Sequence, residues 1–437
     1  MAIRVVSAAK FASASDRGVA YMSVVLDPPR TGSRWVLPFL GAVTFLTAIG
    51  NIGLVSVMPT IGRLLHIPDF LVAGIFSLSA LTWAISAPFW VSRIERKGPN
   101  RYIRAGLVGF VVSMGGCALS VELGLLGLLT PFAAFLLFSI LRSTYGLLGS
   151  AAATATQALI AAQTAGAART RSITTLAGAL SLGTIVGPAI APAMIVEPLG
   201  PLGPMLGFAI FGAIALGGAY IFLPRAARAV APVAGGAPQI SLAQVWRRQG
   251  IGHYLSFGLL LCSAQAINLY TIGFVIIDRM ADDPMAAQRM IGIAMTAAAV
   301  AALLGQWGFV RLFSPSPLSM MRIGTGFAFA GNLLAIAGGG VNVAALGFIL
   351  ASFGYGLARP GFSAAASLAG SSGDQVAIAS AITFIAGASI TLPPVLASAA
   401  YQWWRPAPFA IAAMIGFALL LSHLLPVLAR HIVHNER

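Results

Sequence analysis

Twelve mostly apolar stretches follow one another along the chain, at 36–58, 70–92, 103–120, 131–156, 173–195, 203–223, 252–277, 286–310, 319–339, 344–367, 376–400 and 407–428, each bounded by charged, Pro-rich or Gly-rich breaks. A bilayer core is about 30 Å thick and takes roughly 20 apolar residues of helix to cross, so the pattern predicts twelve transmembrane helices. An even number returns both termini to one side. The longest polar break, residues 224–249 (PRAARAVAPVAGGAPQISLAQVWRRQ), lacks apolar periodicity and reads as a flexible linker. It divides the spans into two six-helix bundles, 35–223 and 250–430, with a short tail at 431–437. Residues 1–34 lack the apolar core of a cleavable signal and read as a disordered tail, with Met22 as an alternative start that would leave residues 1–21 untranslated.

Composition removes the soluble alternatives. Charged residues make up 8% of the 437, and mean hydropathy is +0.90, whereas soluble domains carry about 25% charged residues. The charges are lopsided, 26 Lys+Arg against 11 Asp+Glu. In a soluble chain that excess would suggest nucleic acid as a partner. Here topology accounts for it. With the N-terminus inside, twenty of the 26 basic residues fall in cytoplasmic segments, four (Arg63, Arg279, Arg289 and Arg405) fall outside, and Arg142 and Arg359 lie within spans. The positive-inside rule thus places both termini in the cytoplasm, in what reads as a bacterial inner membrane, and leaves no nucleic-acid surface. Cys117 and Cys262 sit in separate apolar runs and read as packing residues. The sequence holds no Cys/His ligand cluster, HExxH, Walker loop or GxSxG. It therefore argues against a soluble-type enzyme and calls for neither metal nor cofactor.

Four motifs carry a resemblance. The loop after the second span, Pro88 to Arg101, places Glu95, Arg96, Gly98 and Arg101 in an acid–base–glycine–base order. In the fourth span Arg142 is followed by Gly146. The fifth reads Gly183-Thr-Ile-Val-Gly187-Pro188, ending at Pro192, and the tenth runs from Gly354 through Arg359-Pro360-Gly361. Taken together, these segments resemble the major facilitator superfamily, and the fifth span resembles the antiporter motif of its twelve-helix drug:proton efflux group. Val91 and Glu95 depart from the family's usual Gly and Asp in the second-span loop. Gly183 and Gly187 lie one turn apart and admit close helix contact, while Pro188 permits a bend. The resemblance implies the two-bundle major facilitator fold, a cavity lined by spans one, four, seven and ten, and a gating role for Glu95, Arg96, Gly98, Arg101, Gly183, Gly187 and Pro188.

Polar stripes mark the same four spans. Thr44, Thr47 and Asn51 share a face of the first, Ser139 and Arg142 of the fourth, Gln265 and Asn268 of the seventh, and Ser352, Tyr355 and Arg359 of the tenth. Polar side chains at membrane depth face protein or water, so substrate contacts are expected at Thr47, Asn51, Ser139, Arg142, Gln265, Asn268, Tyr355 and Arg359. Hydroxyls bonded to their own backbone are an equally good account of the Thr and Ser residues. Trp83 and Phe274 offer apolar surface. Both arginines lie about 15–22 Å into the core, so both are expected to be buried and partnered. No Asp or Glu falls mid-span, which leaves Asp278, Asp69 and His253 as proton-coupling candidates.

These features predict a monomeric, proton-coupled secondary transporter that exports small amphipathic molecules by alternating access, its partners being substrate, protons and the lipid bilayer. An organic-anion importer or exchanger using Arg142 and Arg359 is the alternative, and a non-transporting scaffold or receptor a remote one.

Overall fold

The computed structural model describes residues 35–164, 166–223, 242–248, 250–371 and 374–435, without the side chains of Glu95 and of residues 161–162, 166–167, 170, 242, 376 and 423–435. The expected N-terminal tail with Met22, most of the 224–249 linker and the side chain of Glu95 lie outside the described residues.

Hydrocarbon supplies no hydrogen-bond partner, so a spanning backbone must satisfy itself within the segment. The described residues are accordingly helical, with no strand among them. The helices are α1 (Val36–Leu64), α2 (Asp69–Lys97), α3 (Pro99–Leu125), α4 (Pro131–Gln163), α5 (Gly166–Ala193), α6 (Gly203–Phe222), a short α7 (Leu242–Arg247), α8 (Ile251–Arg279), α9 (Pro284–Leu303), a one-turn α10 (Val310–Phe313), α11 (Pro317–Ile336), α12 (Val341–Ala369), α13 (Gln375–Thr391), α14 (Pro393–Trp403) and α15 (Ala407–Asn435). Starts are written locally: Thr130, Asp283 and Ser316 cap α4, α9 and α11 through their side-chain oxygens, each followed by a proline that has no amide to satisfy. Gly98, at φ +80°, makes the tight α2–α3 turn.

Among the described residues ten helical stretches are long and apolar enough to cross a membrane. One of them, Pro284–Phe313, joins α9 to α10 through a six-residue π segment at Leu304–Phe309, where Gly305 comes against the Phe353 carbonyl of α12. Another, Ala377–Trp403, is broken before Pro393 into α13 and α14. The remaining two expected crossings coincide with α11, diluted by Arg322 and Asn332, and with the apolar stretch Ala407–Ser422 of α15. Several helices outrun the sequence-drawn spans, since α3 begins at Pro99 and α4 reaches Gln163. Apolarity marks only the hydrocarbon, whereas a helix can continue through the headgroup layer. The last helix likewise runs to Asn435, into the expected tail.

In the N-terminal half α1 packs on α5 and α6, and α4 on α2 and α3; in the C-terminal half α12 is central, touching α8, α9 and α11. Across the halves α5 meets α9, α2 meets α13 and α14, and α1 meets α8. Small residues permit these contacts. A Cβ on Gly331 of α11 would lie 2.5 Å from the Gly347 carbonyl of α12, and one on Gly347 would lie 2.6 Å from that of Gly331.

The apolar cores are distributed unequally between the two ends. One cluster mixes both halves, joining Leu54, Met58, Phe76 and Phe208 to Tyr270, Phe274, Ile291 and Met295. It occupies the end carrying the α1–α2 and α8–α9 connections, called here the sealed end. Toward the other end each half has its own core, Val36, Leu40, Ile94 and Ile103 in one and Leu255, Leu261, Phe362 and Ile378 in the other.

Gly331→Val should force α11 and α12 apart and lower the stability of the purified protein by about 1–3 kcal/mol or more, read as melting temperature in detergent. Gly326→Val is the matched control, because a Cβ there meets nothing within 4 Å.

Candidate functional site

Arg142 lies eleven residues into α4, about 17 Å along its axis, and is 2% exposed. Its Nη2 donates to the Asn51 Oδ1 of α1, while Nε and Nη1 have no partner. Among the described residues no carboxylate pairs with it. Aromatic rings stand around it instead. The guanidinium carbon is 5.2 Å from the Tyr145 ring centroid and 5.9 Å from that of Phe76, distances at which ring quadrupoles attract a cation. Tyr270 of α8 packs on Phe76 at 5.3 Å and lies within electrostatic reach of Arg142, so the opposite half contributes to the surroundings. Half-buried Trp83 meets Tyr145 edge-on at 5.9 Å.

The Arg-x-x-x-Gly spacing is what lets this cluster form. Gly146 lies directly against the backbone of Ser79 and the hydroxyl of Thr82, bringing α4 onto α2. A Cβ on Gly149 would come within 2.8 Å of both Trp83 and Tyr145. Sequence reasoning selected Asn51, Arg142 and Trp83 but missed Tyr145, Phe76 and Tyr270. Tyr145 was legible as the residue three beyond Arg142 on the same face. The other two depend on which helices pack together.

Thr47 stays beside the cluster, its side chain in hydrogen-bond reach of Tyr145 while its hydroxyl donates to the Val43 carbonyl at 2.9 Å. Other expected contacts go elsewhere. Thr44 donates to the Leu40 carbonyl of its own helix at 2.8 Å. Ser139 is fully buried and its hydroxyl has no partner. Asn268 and Tyr355 come together with Asn332, which the sequence reading passed over: Asn268 Nδ2 donates to Asn332 Oδ1 at 2.8 Å, and Asn332 Nδ2 to the Tyr355 hydroxyl at 3.0 Å. All three are buried, pinning α8 and α12 to α11. Asn268 stands two residues, about 200° of helix, from Tyr270, so α8 turns one toward α11 and the other toward Arg142. Gln265 is half-buried, and Phe274 is buried in the shared core and not on a cavity wall.

The expectation that both arginines are buried fails for Arg359. It is exposed, with Cys262 of α8 in electrostatic reach. Depth in a bilayer does not by itself imply burial. Where the halves have separate cores, a side chain at membrane depth can meet solvent.

Charge closes the sealed end. Arg63 at the end of α1 holds Asp69 of α2 through two 2.8 Å hydrogen bonds and Asp278 of α8 at 3.1 Å. Asp278 also accepts from Arg405 and, at 2.6 Å, from the Tyr401 hydroxyl of α14. Asp69 and Asp278 thus join one network across the halves. Beside it buried Gln288 of α9 bonds Thr60 and, at 3.1 Å, the Ser56 carbonyl of α1. The fifth-span motif lies in the same region: a Cβ on Gly183 would meet the Phe45 carbonyl at 2.6 Å, and one on Gly187 the Ile49 carbonyl at 2.6 Å, while the Pro188 carbonyl lies 2.8 Å from where a Gly292 Cβ would sit on α9. Its glycines therefore seat α5 on α1, and its proline meets the other half.

At the opposite end Arg96 donates to the Ser92 carbonyl of its own helix, and Arg101 and His253 are exposed. A local latch forms there too. Arg248, following α7, pairs with Asp374 between α12 and α13. Hydrogen bonds from the Ser371 hydroxyl and amide, with the Arg248 charge, hold the Asp374 carboxyl below its ordinary range.

Residues 40–392 match the family profile of the Major Facilitator Superfamily. Among curated protein sequences none matches. Solved structures share the fold at low identity. A bacterial homologue of the human lysosomal transporter Spinster, inward-facing and unoccupied, superposes with a TM-score of 0.69 at 13% identity over 90% of this chain and 95% of that one. An inward-facing bacterial homologue of the iron transporter ferroportin gives 0.69 at 13% identity, over 89% and 98%. The human organic anion transporter TETRAN gives 0.61 at 18% identity, over 90% and 99%.

Asp278→Asn removes the charge that Arg63 and Arg405 share. It should shift the population toward states parted at the sealed end about fivefold, the equivalent of about 1 kcal/mol, read as a longer distance between spin labels on the α1–α2 and α14–α15 connections. The Asp374 latch is predicted to contribute stability at neutral pH and to lose it as the pH falls through 3.8 and below. Asp374→Asn should therefore lower the melting temperature at pH 7, and its difference from the parent protein should shrink progressively as the pH falls below 3.8.

Proposed function

The chain belongs to the major facilitator superfamily, and we propose from that premise that it exports small amphipathic molecules in exchange for protons by alternating access. Membership makes it an integral membrane transporter and not an enzyme. The observation that carries the mechanism is the unequal coring of its two ends: one apolar cluster binds both halves at the sealed end, and separate clusters serve each half at the other. Two bodies that are internally well packed and joined at one end can rock about the central region, moving the opening from one side to the other.

In this reading the seven gating positions act at the two ends. Gly183, Gly187 and Pro188 work in the α1–α5–α9 seam. Arg96, Gly98, Arg101 and Glu95 belong to the α2–α3 turn at the other end. Substrate enters from the cytoplasm of a bacterial cell, with both termini on that side, and meets Asn51, Trp83, Arg142, Tyr145 and Tyr270. Thr47, Ser139, Gln265 and Arg359 line or flank its path, while Asn268 and Tyr355 hold the C-terminal half in shape. Protons are exchanged at Asp278, Asp69 or His253. The protein works as a monomer with the 224–249 linker joining its two bundles.

Arg142 favours a second reading, an organic-anion importer or exchanger on the same scaffold. Inside-out vesicles separate the two. Export predicts accumulation of substrate driven by an acid interior, abolished by a proton uncoupler and reduced at least about tenfold by Gly187→Leu, the loss expected when a sealing contact is broken. Transport that ignores the uncoupler and requires counter-substrate would establish the exchanger instead.

A further inference from the structure

We propose that the cargo's polar head is a single carboxylate, held by Arg142, with its apolar body among Phe76, Trp83, Tyr145 and Tyr270. The inference rests on the transport reading and names the cargo class it leaves open.

A guanidinium that is 2% exposed is a stored positive charge in a medium of low dielectric. Ordinarily such a charge is retained because a carboxylate neutralises it. Here the partner is the amide of Asn51, which accepts one hydrogen bond and fixes the orientation of the group without supplying charge. Nε and Nη1 are left without partners. Three kinds of head group can be weighed against this arrangement. A cation would meet an uncompensated like charge where screening is weak. A neutral hydroxyl or amide could accept from the free donors but would leave the charge unbalanced. A carboxylate would do both, through charge-assisted hydrogen bonds that are the strongest available to arginine.

The environment also limits the number of charges. Arg359 is exposed and belongs to the other half, so one buried cation serves the head group. A monoanion balances it, whereas a phosphate dianion would bring one negative charge too many. Asn51 and Tyr145, which contact Arg142, and Trp83, which packs on Tyr145, are each only half-buried, so the surroundings of the guanidinium are not wholly closed. Three rings near the guanidinium and Trp83 beyond them suit an aromatic or aliphatic body, which is how ligand pockets commonly pair a few polar anchors with apolar walls.

Binding to the purified full-length protein tests this without requiring transport. The probes are 3-phenylpropionate, 3-phenylpropylammonium and 3-phenylpropanol, which share one body and differ in head group, together with sodium chloride. The expected result is binding of the carboxylate at least about tenfold tighter than the amine or the alcohol, the scale of one charge-assisted contact. Arg142→Gln should remove that preference, and Arg142→Lys should restore part of it. Wild-type protein alone suffices if the variants fail to fold, because the head-group series is read on it directly. Equal or tighter binding of the amine, or chloride displacing the probe as effectively as carboxylate does, would overturn the proposal. Vesicle transport of the neutral probe alongside such a failure would leave the transport reading standing. Carboxylate binding without transport of any probe would instead count against the proposed proton-coupled export and keep the site.

Discussion

Hydrocarbon offers a buried polar group nothing to bond to, and most of this architecture follows from that. Backbone amides and carbonyls close on themselves in helices, and threonine and serine hydroxyls turn back on their own turns, as Thr44 and Thr47 do. Association between helices cannot draw on exclusion of water from lipid-facing surfaces, so it relies on close contact. The paired glycines of α11 and α12, and Gly183 and Gly187 against α1, are the residues that allow it. Arg142 stands out against this background. It is a full charge at mid-helix whose surroundings provide hydrogen bonding and aromatic faces without a counter-ion.

The two ends of the molecule solve different problems. At the sealed end an apolar cluster from both halves is overlaid by the network of Arg63, Asp69, Asp278 and Arg405. Partly exposed ion pairs of this kind are individually weak, so this network costs little to open. By contrast, the polar side chains that join α8, α11 and α12 within the C-terminal half are buried and neutral. Asn268, Asn332 and Tyr355 bond one another across three helices and tie α8 and α12 to α11. The Arg248–Asp374 pair performs a comparable service at the other end, tying the entry to α8 to the α12–α13 connection within one half.

Much of the fold was legible because a bilayer imposes a coarse and strict code. Runs of about 20 apolar residues locate helices wherever their order in space is unknown, and the Thr-Pro, Asp-Pro and Ser-Pro starts of α4, α9 and α11 are local instructions. The family was legible too, from short spacings in the second-span loop and in α4, α5 and α12. Depth along a helix could be counted, but the direction a side chain faces could not. That is why Arg142 and Arg359, both placed at membrane depth, have opposite environments.

By itself, then, the sequence determined the solvent, the helical class, the boundaries to within a turn or two and the presence of an arginine where charge is costly. These follow from composition and periodicity, which are properties of the chain in one dimension. Tertiary structure decided which polar residues meet. It turned Asn268 away from Arg142 and Tyr270 toward it, drew Asp69 and Asp278 from separate helix ends into one network, and gave Arg142 an amide in place of an acid. Those outcomes depend on the rotation of each helix about its axis and on its neighbours, which are fixed only when glycine-lined faces find one another in the folded protein.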